Sequence, residues 1–178
     1  MNQASRVVAI AVDEVGYREE IVNGYSTNVQ KYSTAVPGLE WSQGRPWCQT
    51  FQAWIFHEAG IPELAPSTAS CRAAIGWFTE RGRFSSYPGV GAQVFYRTAE
   101  GMHVGIVTRY DADCVETIEG NTNDSGSREG DGVYWKRRNR NNPIILGYGY
   151  PAFTDSSICA DLNASRFGYR TQEASNAE

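Results

Sequence analysis

Pro46-Trp47-Cys48-Gln49-Thr50-Phe51-Gln52-Ala53-Trp54-Ile55-Phe56-His57-Glu58-Ala59-Gly60-Ile61-Pro62 is the stretch whose reading decides the fold. Cys48, Phe51, Ile55 and Ala59 recur at i, i+3, i+7 and i+11, so one stripe of an α-helix carries a thiol and then apolar packing groups. Pro46 suits the entrance of that helix, and Gly60 with Pro62 suits its exit. The thiol therefore falls in the first turn. Unpaired backbone N–H groups there favour an anion, and the thiolate is the nucleophilic form of cysteine. Cysteine is also a common buried apolar residue, so the stretch alone leaves a catalytic and a structural Cys48 both open.

A catalytic thiol needs a base within hydrogen-bond reach. The chain has two histidines, His57 and His103. His57 lies nine residues along the same helix, which places it about 13 Å from the thiol, and it reads as a residue near the helix end. His103 belongs to Gly101-Met102-His103-Val104-Gly105-Ile106-Val107-Thr108-Arg109-Tyr110, a β-branched run that reads as a central strand. After a turn comes Val115-Glu116-Thr117-Ile118-Glu119-Gly120-Asn121. Period 2 puts Thr117, Glu119 and Asn121 on one face of that strand, so a carboxylate and an amide can point toward the imidazole. Such a group fixes which ring nitrogen carries the proton.

Pro46-Trp47-Cys48 opening a helix, His103-Val104-Gly105-Ile106-Val107 on a strand and Glu119-Gly120-Asn121 ending the next resemble the CHAP family, the cysteine, histidine-dependent amidohydrolases and peptidases. The likeness runs over residues 7–151 and includes Gly130-Asp131-Gly132-Val133-Tyr134 and the closing Gly147-Tyr148-Gly149-Tyr150-Pro151. It implies that Cys48 is the nucleophile, His103 the general base and acid, Glu119 the residue that orients His103, and Asn121 a further polar member of the site. It also implies a papain-like core and bacterial cell-wall peptidoglycan as the substrate. Ala92 stands where family members often carry an aspartate. The related NlpC/P60 hydrolases, similar in fold, usually show an aspartate before the cysteine and a third histidine; Trp47 and the histidine count favour CHAP.

The rest of the chain is consistent with this. Its 178 residues suit one domain, taken as residues 1–151, followed by a polar, loosely ordered tail over 152–178. Sixteen Lys and Arg against 20 Asp and Glu give a net charge of −4, which argues against a nucleic-acid binder. Cys48, Cys71, Cys114 and Cys159 contain no C-x-x-C pair, so no metal site and no cofactor are expected. With Cys48 free, the other three cannot form a complete disulfide framework, and Cys71 lacks a partner that would make it a rival nucleophile. Val8, Ala11, Val12 and Val15 recur at helical spacing, so the beginning reads as an amphipathic helix rather than a secretory signal, and no stretch reaches transmembrane length. Access to a cell wall would then need a holin or a separate targeting protein, as for a phage endolysin made in the cytoplasm and acting after release.

Residues 23–44 read as a loop with short helical pieces, from which Gln43 and Trp47 are candidates for oxyanion or substrate contacts. A second helix is expected over 67–81, capped by Ser67 or Ser70, with Ile75, Phe78 and Trp77 turned inward. Strands are expected over 93–97, 102–110, 115–119, 133–138 and 144–150, with short turns that imply antiparallel neighbours. The fold class is α+β: N-terminal helices on an antiparallel sheet of about five or six strands. Residues 121–132 read as a substrate-facing loop without calcium-loop spacing. Lys136, Arg137, Arg138 and Arg140 read as a solvated positive hairpin face. The competing non-enzymatic reading is a CHAP-like binding or structural module in a phage or wall-associated assembly.

Overall fold

A computed structural model describes residues 1–99, 101–123 and 130–155. In chain order the elements are α1 (Gln3–Asp13), the hairpin strands β1 (Ile21–Val22) and β2 (Tyr25–Ser26), α2 (Tyr32–Ala35), α3 (Cys48–Glu58), α4 (Cys71–Glu80), and strands β3 (Phe84–Ser85), β4 (Gln93–Thr98), β5 (Gly101–Tyr110), β6 (Cys114–Thr122), β7 (Gly132–Asn139) and β8 (Ile145–Gly149). Single turns of 3-10 helix lie at Glu40–Ser42 and Pro62–Leu64. Six strands form one antiparallel sheet in the order β3-β8-β4-β5-β6-β7, so the α+β class and the antiparallel sheet read from the sequence are observed.

β5 is central and α3 packs across it. An amphipathic helix buries one stripe, but α3 is buried without a break from Cys48 to Phe56. The sheet covers one side and α1 and α2 cover the other, so Gln49, Thr50 and Gln52 are enclosed along with Phe51 and Ile55. Full burial of Phe51 and Ile55 contributes about 2 kcal/mol each. Gly120 on β6 lets the helix start come close, since a Cβ there would lie 2.6 Å from the Trp47 ring and 2.8 Å from Phe51.

Three local expectations are revised. In α1 the buried stripe is Ala4, Val7 and Ala11, not Val8, Ala11, Val12 and Val15; the Asn2 side chain accepts from Ser5 N–H at 2.8 Å and starts the helix early, leaving Val12 and Val15 exposed. The second helix begins at Cys71, because Ser70 rather than Ser67 is the N-cap, accepting from Ala73 N–H at 3.3 Å. The stretch over 23–44 holds one strand of a hairpin as well as helical turns. At the other end, residues 152–155 are held in place: Phe153 stacks on Phe56 at 6.2 Å, and the Asp155 carboxylate accepts from Gln3 N–H at 2.9 Å. The rest of the expected tail lies outside the described residues.

Candidate active site

Cys48 is the first residue of α3 and is 4% exposed. His103, on β5, is 2% exposed, and Glu119, on β6, is fully buried. The His103 Nε2–H donates to Glu119 Oε2 at 3.0 Å, which leaves Nδ1 as the acceptor in the neutral ring. Nδ1 is buried without a hydrogen-bond partner. The Cys48 sulfur is close enough to act on the charge of the ring, and the ring acts on the sulfur in turn. Thiol, imidazole and carboxylate thus meet in the order that proton transfer from sulfur requires.

The electrostatics favour a thiolate–imidazolium pair. The Cys71 thiol beside Cys48 holds it well below the ordinary thiol range, against the opposing effect of burial and with further help from His103 and the Gln49 backbone N–H. Burial works against protonation of His103, but the nearby Cys48 sulfur and the hydrogen-bonded, charged Glu119 carboxylate outweigh this and raise it to about 9. Burial would also raise Glu119, yet His103 and Arg138 bring it down to about 2. The His103 contribution to stability is therefore complete below about 6.5 and is lost as pH rises through about 9, while that of Glu119 is complete above about 4.5 and is lost as pH falls through about 2. In Cys48→Ala the His103 ring should titrate clearly below about 9, as followed by NMR of the imidazole. An unchanged value would mean that the sulfur does not act on the ring.

Glu119 is held by more than the histidine. Thr117 Oγ1–H donates to Glu119 Oε1 at 2.6 Å. The Arg138 guanidinium, reaching across from β7, grips both carboxylate oxygens, Nη1 on Oε1 and Nη2 on Oε2, the latter at 2.9 Å. Arg138 also lies 4.5 Å over the Tyr96 ring, which in turn stacks on the His103 ring at 6.0 Å. Arg138 is thus the half-buried ion-pair partner of the buried Glu119, which corrects its reading as part of a solvated face; Arg137, one residue away, does point to solvent, with its side chain 60% exposed. Alternation along β7 separates the two, a signal that the run of like charges obscures.

Gly105 is a second residue the sequence reading missed. A Cβ there would sit 2.5 Å from Glu119 Cγ and 3.2 Å from its Oε1. A lone glycine inside a β-branched strand was the available sign of such an approach. Gly105→Ala should cost about 1–3 kcal/mol in thermal denaturation and lower activity further by displacing the carboxylate. A variant as stable and active as the parent would show that Glu119 has room to move.

The remaining candidates have other positions. Asn121 does not join Glu119 on the imidazole: a register shift between Glu119 and Thr122, with Asn121 at φ 55°, turns its side chain to the helix start. There its Oδ1 accepts from Trp47 N–H at 2.8 Å, and its Nδ2 donates to Gly130 O at 3.0 Å and Asn28 Oδ1 at 3.2 Å. It ties β6 to the turn that presents the thiol. Gln43 is occupied at both ends of its amide, donating to Gln30 O at 2.7 Å and accepting from Gln30 N–H at 3.3 Å, so it is no free oxyanion donor. Trp47 is fully buried among Tyr17, Tyr32 and Phe51, with its Nε1–H on the Glu19 carboxylate, and lines no open groove. Among the described residues no cluster of three or more His, Cys, Asp or Glu could hold a metal ion.

Residues 40–121 match the family model of the CHAP domain. The matched stretch contains Cys48, His103, Glu119 and Asn121, whereas Arg138 lies beyond it. A solved structure described as "The crystal structure of Ly7917" is similar at 14% identity and a TM-score of 0.49, over 83% of this chain and 62% of that one. The chain therefore spans less than two thirds of that structure's length. No curated protein matches. No helix among the described residues is long and apolar enough to cross a membrane.

Proposed function

We propose that this protein is a cysteine-dependent peptidoglycan hydrolase, with residues 1–151 as its catalytic unit. The CHAP match supports amidase or peptidase chemistry on peptidoglycan. The observation that carries the finer reading is the buried line from Cys48 through His103 to Glu119, in which one imidazole nitrogen is fixed by a carboxylate and the other is left for the thiol.

In this mechanism His103 Nδ1 takes the Cys48 proton and the thiolate attacks an amide carbonyl of the wall. The carbonyl oxygen becomes an oxyanion, met by backbone N–H groups at the start of α3. The C–N bond then breaks, the imidazolium gives its proton to the leaving amine, and a thioester remains. Water, deprotonated by the same ring, attacks the thioester and frees Cys48. Glu119 keeps the ring in one tautomer and stabilises its charge throughout. Asn121 acts earlier, by holding the thiol-bearing turn against β6.

The bond is either that between the sugar lactoyl group and the first amino acid, or one within the stem or cross-bridge peptides. Mass spectrometry of purified peptidoglycan after digestion distinguishes them, since the first leaves intact lactoyl-sugar and free stem peptide, and the second leaves new peptide termini on the glycan. Wall that releases neither kind of fragment would overturn the reading in favour of a binding or structural module. The finer role, an endolysin reaching the wall after release with a holin or a targeting protein in trans, is tested by whether the protein lyses cells only once their membrane is permeabilised.

A further inference from the structure

The mechanism above uses one sulfur, yet two are present. Cys48 Sγ and Cys71 Sγ lie 3.7 Å apart, and each cysteine is the first residue of its helix, α3 and α4. Both belong to one apolar cluster with Ala74, Phe78, Phe95 and Val104. A disulfide needs the two sulfurs about 2.05 Å apart. Each Sγ turns on its own Cα–Cβ bond, and the chain entering α4 over residues 65–70 is non-helical, so the approach does not require either helix to be rebuilt.

We propose that Cys48 and Cys71 form a two-thiol oxidation site for peroxides, in which Cys71 resolves the oxidised Cys48 as a disulfide. The Cys48 thiolate attacks one peroxide oxygen; the S–O bond forms, the O–O bond breaks, and the departing hydroxide takes a proton to leave as water. Cys48 is then a sulfenic acid, its sulfur oxidised by two electrons and the peroxide reduced by the same two. The Cys71 sulfur attacks the sulfenic sulfur; the S–S bond forms, the S–O bond breaks, and the hydroxyl group leaves as water with the Cys71 proton. Two thiols and one hydrogen peroxide give one disulfide and two waters. A reducing dithiol restores both thiols by two exchange steps. The lowered pKa of Cys48, beside the Cys71 thiol and His103, favours the thiolate on which the first step depends. Without the second sulfur, further peroxide carries Cys48 to sulfinic acid, which dithiols do not reverse. The pair therefore makes inactivation of the nucleophile reversible, and this holds whichever bond the enzyme cuts.

The test is peptide mapping of the whole chain after treatment with excess hydrogen peroxide, with free thiols alkylated before digestion. The expected product is a Cys48–Cys71 cross-linked peptide, two hydrogens lighter than the two free peptides, which disappears on treatment with dithiothreitol. In Cys71→Ser, Cys48 should instead gain two oxygens and stay oxidised after dithiothreitol. Three results would overturn the proposal: wild-type Cys48 carrying two oxygens while Cys71 remains alkylatable, Cys48 linked to Cys114 or Cys159, or Cys48 left unoxidised. The wild-type map decides the matter even if Cys71→Ser fails to fold. Because the readout is mass, inactivity on peptidoglycan leaves it untouched.

Discussion

Cys48→Ala should lose at least about a thousandfold in the rate of wall solubilisation while remaining folded. The expectation follows from the covalent step: without sulfur there is no thioester, and neither His103 nor Glu119 is placed to attack a carbonyl. The substitution removes one atom from a site whose neighbours include Phe78, Phe95 and Val104, so the stability change should stay near about 1 kcal/mol. Turbidity of a peptidoglycan suspension and a melting curve on the same sample separate the two effects. Persistent hydrolysis by the folded variant would remove Cys48 from the nucleophile's role.

Arg138→Ala should have the largest effect on stability. It leaves Glu119, fully buried and ionised, with the Thr117 hydroxyl and His103 as its remaining side-chain partners. Removing one partner of a buried ion pair costs about 3 kcal/mol or more, because the other charge stays behind. The pH dependence should change in a defined direction. Arg138 helps hold Glu119 at about 2, so without it the carboxylate protonates at higher pH and the acid side of the stability curve moves upward. The acid limb of activity should follow, since a neutral Glu119 no longer supports the imidazolium. Arg138→Lys keeps the charge but not the two-pronged grip on the carboxylate, and should fall between the two. An Arg138→Ala protein with unchanged stability and an unchanged acid limb would show that the ion pair does not set the state of Glu119.

The parts of this molecule that were legible in its sequence depend on local periodicity. The run from Cys48 to Ala59 fixed a helix with its thiol in the first turn, and the β-branched run around His103 fixed the strand that faces it. Glu119 followed from period 2 on the next strand. Asn121 did not, because the alternation breaks at a bulge whose only outward sign is a polar residue with positive φ. Arg138 and Cys71 escaped for a different reason: their importance comes from partners far away in the chain, Glu119 across a strand pair and Cys48 across a helix pair. Gln43 was misjudged from proximity in sequence, since five residues before the thiol its amide turns back to Gln30. Helix and strand spacing report which side of an element a residue occupies; they do not report which element comes to lie against it.

Both proposed reactions need the Cys48 sulfur as a thiolate beside a protonated His103 ring, and the surroundings of Cys48 favour that form. The rate of iodoacetamide alkylation at Cys48, resolved from Cys71, Cys114 and Cys159 by peptide mapping and followed across pH, measures that directly. The expected profile rises with a midpoint well below the free-thiol value of about 8.5, and shifts upward in His103→Ala. A midpoint at or above that value, with no response to loss of His103, would contradict the account.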